Sequence, residues 1–214
     1  MNPTVVTVSG RRWWLPAAIV GGLLLGPLDL WGQVESPYPW AQLFNSPAVW
    51  ATAAFGYGRW LRDRVRSPIG AVILLVVGVV AYYLADVVVR GSDVANLTSA
   101  TTIVWCVAGV IAGAVFGTTG AWAAESDGWL SVLGRASLPA VFAAEAVHVV
   151  ARVGREPADS RPADLPSFAV LLAMLAVISL VVLLRGTDRR TAVRALVVTV
   201  LAALTVGLSI GAVL

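Results

Sequence analysis

The chain has 214 residues, of which 58% are hydrophobic and 13% charged, and its formal net charge at pH 7 is +3. A mean hydropathy of +0.84 assigns nearly the whole chain to membrane spans and short connections, which leaves no room for a soluble catalytic domain. The basic residues are dispersed among loops, so they indicate contact with anionic lipid headgroups rather than with nucleic acid.

A helix needs about 20 apolar residues to cross the hydrocarbon core of a bilayer. The sequence predicts an all-α bundle of about seven transmembrane helices, forming one integral membrane domain over the whole chain. The predicted spans are 13–32, 47–62, 68–89, 101–122, 129–151, 167–185 and 192–213. The second is the shortest, but Ser46 followed by Pro47 is a good helix start signal. Ser67 with Pro68 repeats that signal, and Pro166 opens the sixth span.

The arginines predict how the chain is oriented. All 15 basic residues are arginine, and a cytoplasmic N-terminus places all but four of them on the inner side. The four outer ones are Arg90, Arg152, Arg155 and Arg161. The positive-inside rule then predicts a cytoplasmic N-terminus and an external C-terminus, whereas six spans would reverse that end. The use of arginine without lysine, in an Ala/Val/Gly/Leu-rich chain, favours a GC-rich bacterium and its cytoplasmic membrane.

Glycines four residues apart predict close helix packing. Small residues allow transmembrane backbones to approach, which matters because no hydrophobic force drives helices together in lipid. We interpret the repeats as packing within one chain, with a homodimer as the alternative. The residues are Gly22 with Gly26, Gly109 with Gly113 and Gly117, and Gly207 with Gly211.

Several ionisable or hydroxyl side chains fall near the predicted outer ends of the first, third and fifth spans. Ionisable groups at such depth indicate a functional site by default, and these could converge on one cavity. The alternative is that they are hydrated near the headgroups. The candidate substrate-binding residues are Glu145, His148, Asp86, Asp29, Tyr82, Tyr83 and Arg152, with Glu145 first among them.

The sequence contains little that indicates a catalytic or cofactor-binding site. Glu145 and His148 form half of a carboxylate-bridged metal motif, but the chain contains no second histidine. Neither a Gly-x-Ser-x-Gly turn nor a Gly-rich phosphate loop is present. We therefore expect no catalytic residues, no metal and no cofactor. The outer loop from Gly32 to Asn45 is expected to form a short interfacial helix or to fold over a cavity mouth.

The runs GGLLLGPLDLWG, NSPAVWATAAFGYG, VAYYLAD, VAGVIAGAVFGTTGAW and AAEAV resemble a family of actinobacterial multi-pass membrane proteins that carries no assigned function. The resemblance implies a helical bundle in the cytoplasmic membrane and supplies no catalytic residues. The architecture is also similar to the substrate-binding S-components of energy-coupling factor transporters, which capture vitamins from the outer side. The chain departs from them in its seven predicted spans rather than six.

Two functions are compatible with these patterns. The first is a component that binds or transports a small molecule through an outward-facing polar cavity. The alternative is a structural or accessory protein that packs against a membrane partner or a second copy of itself, for which an exposed stripe from Gly109 to Gly117 would be the distinguishing feature. A membrane enzyme acting on lipid would need more polar groups at depth than this chain has. The expected partners are the lipid bilayer and, depending on the function, a small ligand or another membrane protein.

Overall fold

Every regular element in the described part of the chain is a helix, which confirms the all-α class. A computed structural model describes residues 12–125, 128–155 and 165–213, with side chains described in all of these except 153–155 and 206–213. The α-helices are α1 (Trp14–Glu35), α2 (Trp40–Phe44), α3 (Pro47–Leu61), α4 (Arg66–Arg90), α5 (Ala100–Ala123), α6 (Trp129–Arg155), α7 (Leu165–Leu184) and α8 (Arg189–Val213). A 3₁₀ helix, Val94–Thr98, precedes α5.

Five of the described helices are long and apolar enough to cross a membrane, namely α1, α4, α5, α6 and α7. They indicate a membrane protein. The helices α3 and α8 occupy the other two predicted segments, and α3 has only 15 residues. The number of spans and the orientation of the two ends therefore stay predictions.

Local chemistry explains where these helices begin. Ser46 caps α3 by accepting a hydrogen bond from the Ala48 N–H, and Pro47 occupies the first helical position. The predicted start signal of α4 works differently, because the helix begins before Ser67 and Asp63 Oδ1 accepts from Val65 N and Arg66 N at 3.0 and 2.9 Å. An acidic side chain in the preceding turn thus replaces the expected serine cap.

The start of α8 uses the same device as that of α4. Asp188 Oδ1 accepts hydrogen bonds from Arg190 N and Thr191 N at 2.9 and 3.0 Å. Bonds to Thr191 in particular favour the charged carboxylate and lower the pKa of Asp188. The negative charge stands at the positive end of the helix dipole, where it is favourable.

The short helix α3 lies at the centre of the bundle. It packs against α4, α5 and α6, and α4 in turn lies between α1 and α5. The helices α7 and α8 both pack on α6. One buried apolar cluster joins α3 to α6 and α7, with Phe55, Phe142 and Leu172 among its members, and a second joins α3 to α1 and α4 through Tyr57 and Leu74.

The glycine repeats mark where helices touch most closely. A methyl group at Gly113 would lie 2.6 Å from Val72 Cα, and one at Gly117 would lie 2.6 Å from Ala71 Cβ, so α4 and α5 meet along this stripe. Gly22 faces α4 in the same way, 2.8 Å from Val77 Cβ. The stripe is therefore buried within the chain. Two further predicted packing residues, Gly207 and Gly211, lie in α8 where packing is outside the described side chains.

Polar contacts join the α3–α4 and α5–α6 connections at one end of the bundle. Arg64 Nη2 lies 2.7 Å from Glu125 Oε1 in an ion pair. Arg59 Nη1 donates to the Ala123 carbonyl at 2.6 Å, and Arg135 Nη2 donates to the Glu125 carbonyl at 3.0 Å. These contacts satisfy helix-end carbonyls with arginine side chains, the charge that suits a helix C-terminus. We call this the arginine end, and the other the cavity end.

Candidate functional site

A cavity of about 150 Å³ opens among α1, α3, α4 and α5, towards the cavity end of the bundle. It is comparable in size to an engineered protein cavity that binds benzene. Its polar lining residues are Asp29, Gln33 and Asn45, and its aromatic lining residues are Trp50, Tyr82, Tyr83 and Trp105. Leu75, Val79 and Ala112 are among the apolar residues that complete the wall.

Asp29 is the charged group that lines this cavity in the described part of the chain. It is only 4% exposed, and its Oδ2 accepts a hydrogen bond from Gln33 Nε2 at 2.8 Å. Its other oxygen, Oδ1, is buried and has no hydrogen-bond partner of normal geometry, although the Trp50 side chain also donates towards the carboxylate. Buried carboxylate oxygens are normally satisfied, since leaving one unpaired costs about 1–3 kcal/mol or more. The cavity therefore contains an unused acceptor.

A short relay of polar groups holds the Asp29 side chain in place. Tyr82 Oη donates to Gln33 Oε1 at 3.3 Å, and the amide nitrogen of the same Gln33 donates to Asp29. Gln33 stands one helical turn beyond Asp29, so the two share a face of α1. The Tyr82 and Tyr83 rings contact edge to face, with centroids 5.4 Å apart. The carboxylate and both tyrosines are thus ordered without any ligand contact.

Two glycines bring these side chains together. Gly26 lies directly against the Gly78 carbonyl and the Tyr82 backbone N–H, so α1 and α4 touch one turn before Asp29. Gly78 in turn leaves room for the Trp50 ring, whose Cζ3 would lie 3.0 Å from a methyl group there. Side chains at either glycine would push apart the helices or the indole that form the cavity.

The aromatic side chains come from three different helices. Trp50 belongs to α3 and approaches the Asp29 carboxylate. Tyr82 and Tyr83 belong to α4, while Trp105 belongs to α5 and is 43% exposed. The cavity thus combines one carboxylate with four aromatic side chains, and no arginine lines it among the described residues.

The predicted site residues divide into two groups. Asp29, Tyr82 and Tyr83 share the cavity. Asp86 lies one turn further along α4, outside the lining, and pairs with Arg90 at an Nη1–Oδ1 distance of 3.4 Å. This pair offsets the charge of Asp86, unlike that of Asp29.

The α6 candidates Glu145, His148 and Arg152 do not line the cavity. Glu145 Oε2 accepts a hydrogen bond from Ser46 Oγ at 2.6 Å and another from Ala48 N at 3.2 Å. The carboxylate therefore attaches the first turn of α3 to α6, at the favourable end of the α3 dipole. The segment at the start of α3 that Glu145 contacts also contributes Asn45 and Pro47 to the cavity wall, so Glu145 lies beside the lining, and no substrate contact is needed to explain its burial.

Sequence reasoning missed four lining residues. Trp50 lies in α3 and Trp105 in α5, while Gln33 and Asn45 fall in the segment predicted as an outer loop. The spacing of Asp29 and Gln33 was a usable signal, since residues four apart share a helical face.

The described residues contain no group of three or more His, Cys, Asp or Glu side chains placed to hold a metal ion. Inside the cavity, the polar neighbours of Asp29 among the described residues are amides, tyrosine hydroxyls and the Trp50 indole N–H. An apolar and aromatic wall with a few oriented polar groups is the usual composition of small-molecule sites. The described lining offers no nucleophile with an adjacent base.

Residues 7–213 match DUF6518, described as a family of unknown function. The chain belongs to this family. No curated protein and no solved structure matches the chain. Membership of DUF6518 extends across nearly the whole helical bundle, so the cavity and the arginine end both lie within the family's shared region.

Proposed function

We propose that this protein binds a small molecule in the cavity among α1, α3, α4 and α5, as a binding or transport component of a bacterial cytoplasmic membrane. In this proposal the chain crosses the bilayer seven times, with its N-terminus in the cytoplasm. The arginine end then faces the cytoplasm and the cavity end faces outwards. The observation that carries the proposal is the buried, ordered Asp29 carboxylate with one unused oxygen at the wall of a benzene-sized cavity.

Two features support a ligand rather than a purely structural polar cluster. The Gln33–Tyr82 relay and the nearby Trp50 side chain orient Asp29, and its Oδ1 at the cavity wall still has no hydrogen-bond partner of normal geometry. Ligand sites in proteins typically combine an apolar and aromatic wall with a few oriented polar groups, and this cavity has that composition.

The structure does not show the exposed glycine stripe that would distinguish the alternative, an accessory protein. That function required an exposed stripe from Gly109 to Gly117, but all three glycines of the stripe are buried, and Gly113 and Gly117 pack against α4. Exposed apolar side chains such as Val88 and Val104 suit contact with lipid chains equally well. No described surface therefore favours a protein partner.

Thermal unfolding of the detergent-purified protein across a library of vitamins, amines, amides and sugars tests the proposal. A ligand that binds only the folded state raises the unfolding temperature in proportion to its saturation. We expect at least one compound to stabilise the wild-type protein, and Ala108→Phe to abolish that effect, because Ala108 lines the cavity.

The matched control is Ala114→Phe, since Ala114 is another exposed alanine on α5 that does not line the cavity. Stabilisation that survives in Ala114→Phe and disappears in Ala108→Phe assigns the ligand to the cavity. Equal stabilisation of both variants would contradict binding there, and no stabilisation by any compound would count against a small-molecule function.

A further inference from the structure

We propose that the ligand of this cavity is a small organic cation, either an amine or a quaternary ammonium group, held between the Asp29 carboxylate and a cage of aromatic faces. The inference rests on the proposed function above and names the chemical class of its ligand. Three separate observations support it: the charge of the lining, its aromatic content and its size.

The first observation is uncompensated negative charge. Asp29 lines the cavity without any arginine beside it in the described chain, and Oδ1 has no donor. The nearest comparison is Asp86, whose charge is offset by Arg90 at 3.4 Å. A buried carboxylate is stabilised by a cation, and none of the described residues that line the cavity supplies one, so a ligand cation would complete the site.

The second observation is the kind of wall that faces this charge. Trp50, Tyr82, Tyr83 and Trp105 line the same cavity. Aromatic faces carry partial negative charge and attract ammonium groups, and cages of several rings are the usual sites for quaternary ammonium ligands. A neutral ligand without a hydrogen-bond donor would gain from the apolar area but would leave Asp29 Oδ1 without a partner.

The third observation separates organic from inorganic cations. Divalent metals prefer several oxygen ligands, and the described residues contain no cluster of three His, Cys, Asp or Glu side chains to supply them. A cavity of about 150 Å³ is also far larger than a bare ion but suits a molecule of about six heavy atoms.

The test uses full-length protein in a non-ionic detergent. Unfolding temperatures are measured with tetramethylammonium, with choline, and with the neutral carbon isostere of choline, in which a quaternary carbon replaces nitrogen. Sodium and potassium chloride at matched ionic strength are the inorganic controls. We expect the two organic cations to stabilise the protein and the isostere and salts to have little effect.

Two carboxylate variants check the assignment to Asp29. Asp29→Asn keeps the shape and the amide contacts but removes the charge, so the apparent affinity for choline should fall by at least about tenfold. Asp86→Asn removes a similar charge outside the lining and should retain most of the affinity. Trp105 is exposed, and Trp105→Leu should weaken choline binding more than Trp105→Phe, which keeps an aromatic ring.

The outcomes distinguish the two proposals. If the isostere stabilises as well as choline, or if Asp29→Asn binds choline normally, the cation class is wrong while a small-molecule site remains. If no organic cation stabilises, the cation class is wrong, and the library with Ala108→Phe decides the proposed function separately. Stabilisation by a short-chain phosphatidylcholine but not by free choline would support the same chemistry and assign its source to a lipid headgroup.

Discussion

Ser46 illustrates how one side chain can serve two elements. Its Oγ accepts from Ala48 N within α3 and donates to Glu145 Oε2 on α6 at 2.6 Å, and the residue is only 1% exposed. The sequence predicts the first of these bonds, because the capping pattern is local. The second depends on which helix lies beside α3, which no local pattern contains.

Removing the Ser46 hydroxyl should destabilise the fold. Ser46→Ala deletes a helix cap and leaves Glu145 with a single donor, so we expect a loss of about 1–3 kcal/mol in unfolding free energy. Ser179→Ala is the matched control, since Ser179 only donates back to the Ala176 carbonyl in its own helix, and should change stability by less than about 0.5 kcal/mol. Reversible unfolding in mixed micelles would measure both, and similar losses would contradict the role of Ser46.

Glu145 and Asp29 should respond differently to neutralisation. Glu145→Gln keeps an acceptor for Ala48 N and stays outside the cavity, so a cavity ligand should bind it as it binds the wild type. Asp29→Asn should lower the affinity for an organic cation by at least about tenfold. Titration of choline followed by thermal shift compares the two variants. If choline binds more weakly to Glu145→Gln but normally to Asp29→Asn, the binding site would be at Glu145 on α6 and not at Asp29.

At the scale of helices, Gly113 and Gly109 should differ in how well they tolerate substitution by alanine. A methyl group at Gly113 would lie 2.6 Å from Val72 Cα on α4, whereas at Gly109 the nearest atom would be Leu75 Cβ at 3.5 Å. Gly113→Ala should therefore cost about 1–3 kcal/mol by forcing α4 and α5 apart. Gly109→Ala should be neutral or slightly stabilising.

The unfolding temperatures of these two variants in detergent, without ligand, check the packing of α5. The comparison is internal, since both variants add the same methyl group to the same helix. Equal destabilisation would show that the glycines matter for flexibility rather than for close approach. Stabilisation by Gly113→Ala would overturn the described α4–α5 contact.

Helix positions follow from sequence more readily than helix neighbours do. Hydropathy and capping residues are local, so the predicted segments coincide with α1 and α3 to α8, although α4 starts with an Asp63 cap rather than a serine one. Contacts between helices depend on shape complementarity that a one-dimensional pattern does not record. For this reason the sequence places Asp29, Tyr82 and Tyr83 at one level, where they line a common cavity, while the contacts of α3 with α4, α5 and α6 were not foreseen.

At the scale of the whole molecule, the orientation can be tested with reporters at the C-terminus. Seven spans and a cytoplasmic N-terminus place the C-terminus outside. A C-terminal alkaline phosphatase fusion should then be active in cells, and a C-terminal green fluorescent protein fusion should be dark. The opposite pattern would contradict this topology, showing either an even number of spans, with α3 or α8 outside the spanning set, or a reversed orientation.

The shortness of α3 has a consequence for how a molecule would arrive at the cavity. Its 15 residues extend about 22 Å, against about 30 Å of hydrocarbon. Ser46 fixes its first turn beside Glu145, about 15 Å of helix rise before α6 ends at Arg155. With α6 and α4 extending beyond the start of α3, we expect a water-filled vestibule in the membrane surface above Asn45. A charged solute would then reach Asp29 from the aqueous phase, so occupancy would follow its concentration in water rather than its partition into lipid.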